Sequence, residues 1–168
     1  DGALAVARAR LWCDATALLE LSESGRCAAG LELLRCELLP GFFVPGVSAE
    51  LQQWFDAERV RLRDLAAETA MTYAETLEDS GDAVEAVRWG RWGFERVPHS
   101  ESILRRLIAL LDRRGDRFGA LLAYDRFARL LADEFEATPS PETIALIDAV
   151  PRRAKQGDAT TGALNDQT

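Results

Sequence analysis

Displaced by 34 residues, the sequence falls on itself. "LEDSGDAVEAV" (Leu77 to Val87) lies over "LDRRGDRFGAL" (Leu111 to Leu121), pairing Leu77 with Leu111, Gly81 with Gly115, Asp82 with Asp116 and Ala86 with Ala120. The segments before each Gly-Asp agree as well. Ala70, Tyr73, Ala74 and Leu77 fall where Leu104, Leu107, Ile108 and Leu111 fall, at offsets that place each set on one helical face. A repeat of this length excludes most architectures at once, because each unit must bury its apolar face against a neighbouring copy.

A 34-residue period is that of the tetratricopeptide repeat, a helix-turn-helix unit. Each Gly-Asp has a mechanical role in it: glycine closes the first helix in a left-handed conformation, and aspartate caps the free amides of the second. Glu85, three residues after Asp82, completes the pattern of a capping box. On the second helix Ala83, Ala86, Val87, Gly90, Gly93, Phe94 and Val97 form one stripe. The downstream equivalent is Ala120, Leu121, Tyr124, Phe127, Ala128 and Leu131. Gly90 and Gly93 therefore lie on the packed face, where close approach of a neighbouring helix offsets their low helix propensity.

The remaining segments extend this plan. Cys13 to Leu34 reads as a weaker helix pair turning at Gly25, with Gly30 where later repeats have alanine. Pro40, Gly41, Pro45 and Gly46 make Leu38 to Ser48 a loop. A long helix runs from about Ala49 to Ser80, with Leu51, Trp54, Phe55, Leu62, Leu65, Ala66, Thr69 and Tyr73 inward. A short last helix starts at "PSPET", capped by Ser140 with Pro141 in the first turn. The expected architecture is all-α: a tetratricopeptide-like, right-handed stack of helical hairpins with about seven helices. It occupies residues 11–150, after a linker at 1–10 that reads as strand or linker and before a disordered tail or linker at 151–168.

The composition fits one soluble domain of 168 residues, with no apolar run long enough to span a bilayer and no signal peptide ahead of the fold. A net charge of -8 argues against nucleic-acid binding by this chain alone. Cys13, Cys27 and Cys36 cannot all pair, which points to buried free thiols in a reducing cytoplasm. The single histidine, His99, has no second ligand at metal-binding spacing, so neither metal nor cofactor is expected. The chain opens at Asp1 and its sole methionine is Met71, as in a piece of a longer protein.

No catalytic constellation is present. Glu75, Glu78 and Asp79 read as a solvated helix face, and the arginines of "ERVRLR" spread around their helix to pair with nearby acids. "GDAVEAV" lacks the lysine of a phosphate loop. The candidates for protein contact are apolar side chains off the core stripes. Trp92 lies about 160° from the middle of its stripe and Trp89 at its edge, with Arg88 and Arg96 nearby. Burial of Trp92 against the helix spanning Ser100 to Arg114 is the favoured reading, with a partner hot spot as the other. Phe42 and Phe43 are favoured to cap the core between the first helix pair and the long helix.

"LLPGF" (38–42), Trp54 with Glu58 and Arg59, Gly81-Asp82 with Ala86, and Glu101 with Leu107 form the first part of an ordered series. Gly115-Asp116 with Ala120 and Tyr124, then Pro139 and Glu142 within "PSPET", complete it. The series resembles the bacterial transcriptional activation domain of the antibiotic regulatory protein family over about Leu11 to Val150. The resemblance implies an all-helical domain of a cytoplasmic, non-enzymatic transcription activator. It would follow a winged-helix domain that alone contacts DNA, and would work through protein contacts: itself, RNA polymerase or other domains of the same regulator. The chain departs from its relatives at Leu34, Arg35, Cys36 and Glu37, where they have Tyr-Arg-Gly-Asp, and at Val97-Pro98, where they have Asp-Pro. The other reading is a stand-alone tetratricopeptide adaptor, which a bare Ala70, Tyr73, Leu104 and Leu107 face supports poorly.

Overall fold

The structure, a computed structural model, describes residues 12–34, 46 and 48–150. Among these there are seven helices and no strand: α1 (Asp14–Glu23), α2 (Cys27–Leu33), α3 (Ala49–Asp79), α4 (Ala83–Arg96), α5 (Glu101–Arg113), α6 (Arg117–Phe135) and α7 (Pro141–Ala149). The expected all-α fold is the observed one. Helices α1/α2, α3/α4 and α5/α6 form three hairpins. Helix α2 leans on α3, α5 packs against both α3 and α4, and α7 closes the stack on α5 and α6. Phe42, Phe43 and Cys36, together with the expected linker at 1–10 and tail at 151–168, lie outside the described residues.

The three turns are built alike. Gly81 has φ +89° and Gly115 φ +74°, the left-handed conformation that a side chain strains, and Gly25 matches them. The Gly81 amide donates to the Glu78 carbonyl and the Asp82 amide to that of Leu77; Gly115 and Asp116 repeat both bonds onto Asp112 and Leu111. This is the Schellman closure. Asp82 then caps α4 through Glu85 N at 3.3 Å, and Asp116 caps α6 through Gly119 N at 2.8 Å. The other half of the expected capping box is not made, because the Asp82 amide is committed to Leu77 and the Glu85 carboxylate is taken by Arg88.

Helix α5 carries the core. Leu104, Leu107, Ile108 and Leu111 are all buried, between Met71 of α3, Phe94 and Val97 of α4, and Phe127 of α6. Gly93 lets α4 approach the α3 backbone: a Cβ there would stand 3.0 Å from the Ala67 carbonyl oxygen. Gly90 faces side chains instead, with Leu110 Cδ2 at 3.0 Å and Leu107 Cδ1 at 3.3 Å from the same ideal position.

The long helix departs from expectation in its first half. Leu51 is exposed and Trp54 is 56% exposed, although both were expected inward. At 1.5 Å per residue, the 31 residues of α3 reach about 46 Å, whereas the 14 of α4 reach about 21 Å. The packed part of α3 accordingly runs from Leu62 to Ala74. Trp54 stacks edge-on to its neighbour Phe55, with centroids 5.1 Å apart.

Candidate protein-contact site

Helices α3 and α4 bring three aromatic rings into a row. Tyr73 meets Trp89 edge-on with centroids 5.6 Å apart, and Trp89 meets Trp92 edge-on at 5.4 Å. The row follows from the repeat geometry. Trp89 and Trp92 are three residues apart on α4 and share a flank beside its buried stripe, and Tyr73 faces them from α3. Trp89 also rests on a small buried cluster of Ala74, Ala86 and Leu110.

Arginines cover the row. The Arg88 guanidinium lies 4.8 Å from the Trp89 ring centroid and that of Arg96 lies 3.6 Å from Trp92. Arg88 is fixed in turn by Glu85, its Nε donating to Oε1 at 2.9 Å; this hydrogen bond holds the Glu85 carboxyl below the usual carboxylate range. Arg88 is exposed, while Trp89, Trp92 and Arg96 are half-buried. Trp92 therefore differs from expectation: its ring contacts are with Trp89 and Arg96 of its own helix, off the buried stripe that meets α5. The result is a rigid strip of π-faces and charged forks, a surface suited to protein recognition.

The acids expected to form a solvated face are instead structural. Arg106 of α5 donates to Glu75 (Nε to Oε1 2.8 Å), Glu68 (Nη1 to Oε2 2.7 Å) and Thr72 of α3. Arg113 holds Glu78, Nη2 to Oε2 at 2.7 Å, and that hydrogen bond keeps the Glu78 carboxyl below its ordinary range despite burial. Arg59 pairs with Asp56 and Arg61 with Glu58, in line with the dispersed pairing expected of that segment.

At the other end, the Glu101 carboxylate accepts from the Ser140 amide, while Thr143, fully buried, accepts from Arg105 Nη1 at 3.2 Å. Burial opposes ionisation of Glu101, but the bonds from Ser140 and Thr143 and the charge of Arg105 outweigh it and lower its pKa. Pro139 is buried beside this anchor and Glu142 is exposed. Ser140 caps α7 with Pro141 in its first turn, as the sequence predicts.

The remaining sequence candidates are structural in placement. Ala86 and Ala120 are fully buried, and Tyr124 packs half-buried against the main core. Cys27 is buried, which pushes its thiol pKa up, but Cys13 is exposed at the start of α1, contrary to the expectation for all three thiols. Among the described residues no three His, Cys, Asp or Glu side chains gather to hold a metal ion, and His99 is exposed. No described helix is long and apolar enough to cross a membrane.

Sequence reasoning missed two tertiary links. Ser22 of α1 shares a 2.7 Å hydrogen bond with the buried Thr69 hydroxyl of α3, and Arg91 of α4 reaches Asp116 at the start of α6. The second had a signal: Gly119, where a Cβ would lie 2.3 Å from Asp116 Oδ2 and 2.7 Å from Arg91 Nη2.

No curated protein and no solved structure matches the chain. The family model of the bacterial transcriptional activator domain matches residues 9–150, which covers every helix described above. This chain belongs to the bacterial transcriptional activator domain family.

Proposed function

We propose that this chain is the protein-contacting, regulatory domain of a cytoplasmic activator of the antibiotic regulatory protein type. In this reading a winged-helix domain outside the chain binds the operator, and the helical stack supplies contacts to RNA polymerase, to a second copy or to other domains of the regulator. It carries no reaction and no cofactor. The observation that carries the reading is the Tyr73–Trp89–Trp92 row with Arg88 and Arg96 over it, an aromatic and cationic strip set beside the core on a helical scaffold. Trp and Arg are the side chains most often found as binding hot spots.

The adaptor alternative needs free cations on the first helices of the repeats, to hold an acidic peptide. Arg106 and Arg113 are placed there, but Glu68, Glu75 and Glu78 already neutralise them.

Fluorescence anisotropy of labelled promoter DNA with the isolated chain tests the division of labour. The expected outcome is no sequence-specific binding near physiological salt, with dissociation constants no better than the roughly 100 µM of weak non-specific contact. Nanomolar binding to one sequence that ignores scrambled competitors would refute it.

A further inference from the structure

The first two turns of α6 present a second surface, separate from the tryptophan row of α4. Phe118 is 76% exposed and Leu122, one turn on, is 53% exposed. They share one face with Arg126, at i, i+4 and i+8, opposite the buried Ala120 and Phe127. Phe118 makes no ring contact, and its place in the 34-residue repeat is that of Val84 in α4, which is 79% exposed. The same repeat position thus turns an apolar side chain to solvent in two successive units.

Charge identifies what fits there. Elsewhere arginines lean on carboxylates, as Arg61, Arg91 and Arg106 do. Arg114, Arg117 and Arg126, which surround Phe118 and Leu122, are exposed and form no ion pair among the described residues. The nearby acids are engaged: Asp116 by Arg91 and Asp125 by Arg129. In a chain of net charge -8, this is a local positive rim around an apolar centre.

We infer that this face of α6 docks an acidic amphipathic helix of a partner protein. Its apolar side chains lie on Phe118 and Leu122 and its carboxylates on Arg114, Arg117 and Arg126. The spacing of the two apolar anchors suits the i, i+3, i+4 pattern of such a helix. A second copy of this chain fits less well, because a two-fold contact would set the same arginines against one another. Nucleic acid would meet Asp116 and Asp125 along with the arginines, and has no use for the exposed leucine.

The probe is a fluorescein-labelled peptide of about 18 residues, composed of Glu, Ala and Leu with leucines on one helical face, long enough to be helical when bound. Anisotropy with the whole chain should show binding that weakens as salt rises. The same peptide with Lys for Glu should bind about tenfold or more weakly. Phe118→Ser and the pair Arg114→Glu/Arg117→Glu should each weaken the acidic peptide about tenfold or more, with helical circular dichroism unchanged, whereas Trp92→Ala should leave it unaffected. Equal binding of the Glu and Lys peptides overturns the inference, as does indifference to Phe118→Ser. So does binding of a DNA duplex that depends on the same arginines, or a dimer, seen by sedimentation, that Phe118→Ser dissolves.

Discussion

Asp116 joins two helices with one carboxylate: Oδ1 accepts from Gly119 N at 2.8 Å to cap α6, and Oδ2 accepts from Arg91 Nη2 of α4 at 2.9 Å. Asp82, at the equivalent turn one repeat earlier, makes only a 3.3 Å cap, to a residue that carries a side chain. Replacing Asp116 with alanine removes both bonds and should cost about 1 to 2 kcal/mol. Asp116→Asn keeps the cap and loses only a partly exposed ion pair, for about 0 to 1 kcal/mol. Urea denaturation of the two variants checks this order; equal losses would mean that the cap contributes nothing.

The two helical glycines of α4 should respond differently to an added methyl group. At Gly90 the new Cβ meets the mobile ends of Leu110 and Leu107, so Gly90→Ala gains helix propensity, roughly 1 kcal/mol, against a modest repacking cost. At Gly93 it meets the Ala67 carbonyl oxygen, and α4 must move away from α3 as a unit. Gly93→Ala should be the less stable variant, and Gly93→Leu should lose about 1 to 3 kcal/mol or more. Denaturation midpoints at constant slope read both, and an unchanged midpoint for Gly93→Leu would place that position in water.

Much of this frame was legible because its signals are local. Glycine followed by aspartate at a 34-residue interval fixes a turn by backbone conformation and capping alone, and the apolar stripes follow from 3.6-residue periodicity. What crosses between helices was not legible. Whether Glu75 and Glu78 face solvent or meet Arg106 and Arg113 depends on the rotation of α3 about its axis, to which a chain rich in both charges gives no unique answer. Trp54 and Leu51 failed for another reason: periodicity reports a face, and α4 is too short to cover the first half of that face. Of the candidate site, Trp89, Trp92, Arg88 and Arg96 were legible as neighbours on one helix, while Tyr73 joined them only through the α3–α4 packing.

Acid should loosen the stack from the α5 side. Glu78 and Glu101 have carboxyls held below the ordinary value of 4.5, the first by Arg113, the second by the bonds around Ser140 against the cost of burial. A depressed folded-state pKa stabilises the fold fully above the unfolded value, and this contribution disappears as pH falls through the folded value. The melting temperature should therefore hold from neutrality to about pH 5 and fall below pH 4.5. In Glu101→Gln the acid-side fall should be shallower, with a lower plateau at neutral pH. A plateau and slope identical to the parent would disconnect Glu101 from α7 anchoring.

Trp92→Ala should behave as a half-buried strip residue. It removes an edge-on aromatic contact worth about 0.5 to 1.5 kcal/mol and a cation–π contact worth about 0.5 to 1 kcal/mol. A total near 1 to 2 kcal/mol is expected, short of the 3 to 5 kcal/mol typical of a core tryptophan. Chemical denaturation gives the energy, and quenching in the variant that keeps only Trp92 should show intermediate solvent access. A loss above about 3 kcal/mol would put the ring in the core.

The central claim is that this domain acts through protein contact and leaves DNA recognition to another part of the regulator. Run-off transcription by the full regulator, with operator occupancy measured in the same reactions, compares the parent with Trp89→Ala/Trp92→Ala most directly. Activation should fall about tenfold or more, as expected when two hot-spot side chains are lost, while operator affinity changes by less than about twofold. Unchanged activation, or activation and operator binding lost in parallel, would contradict it.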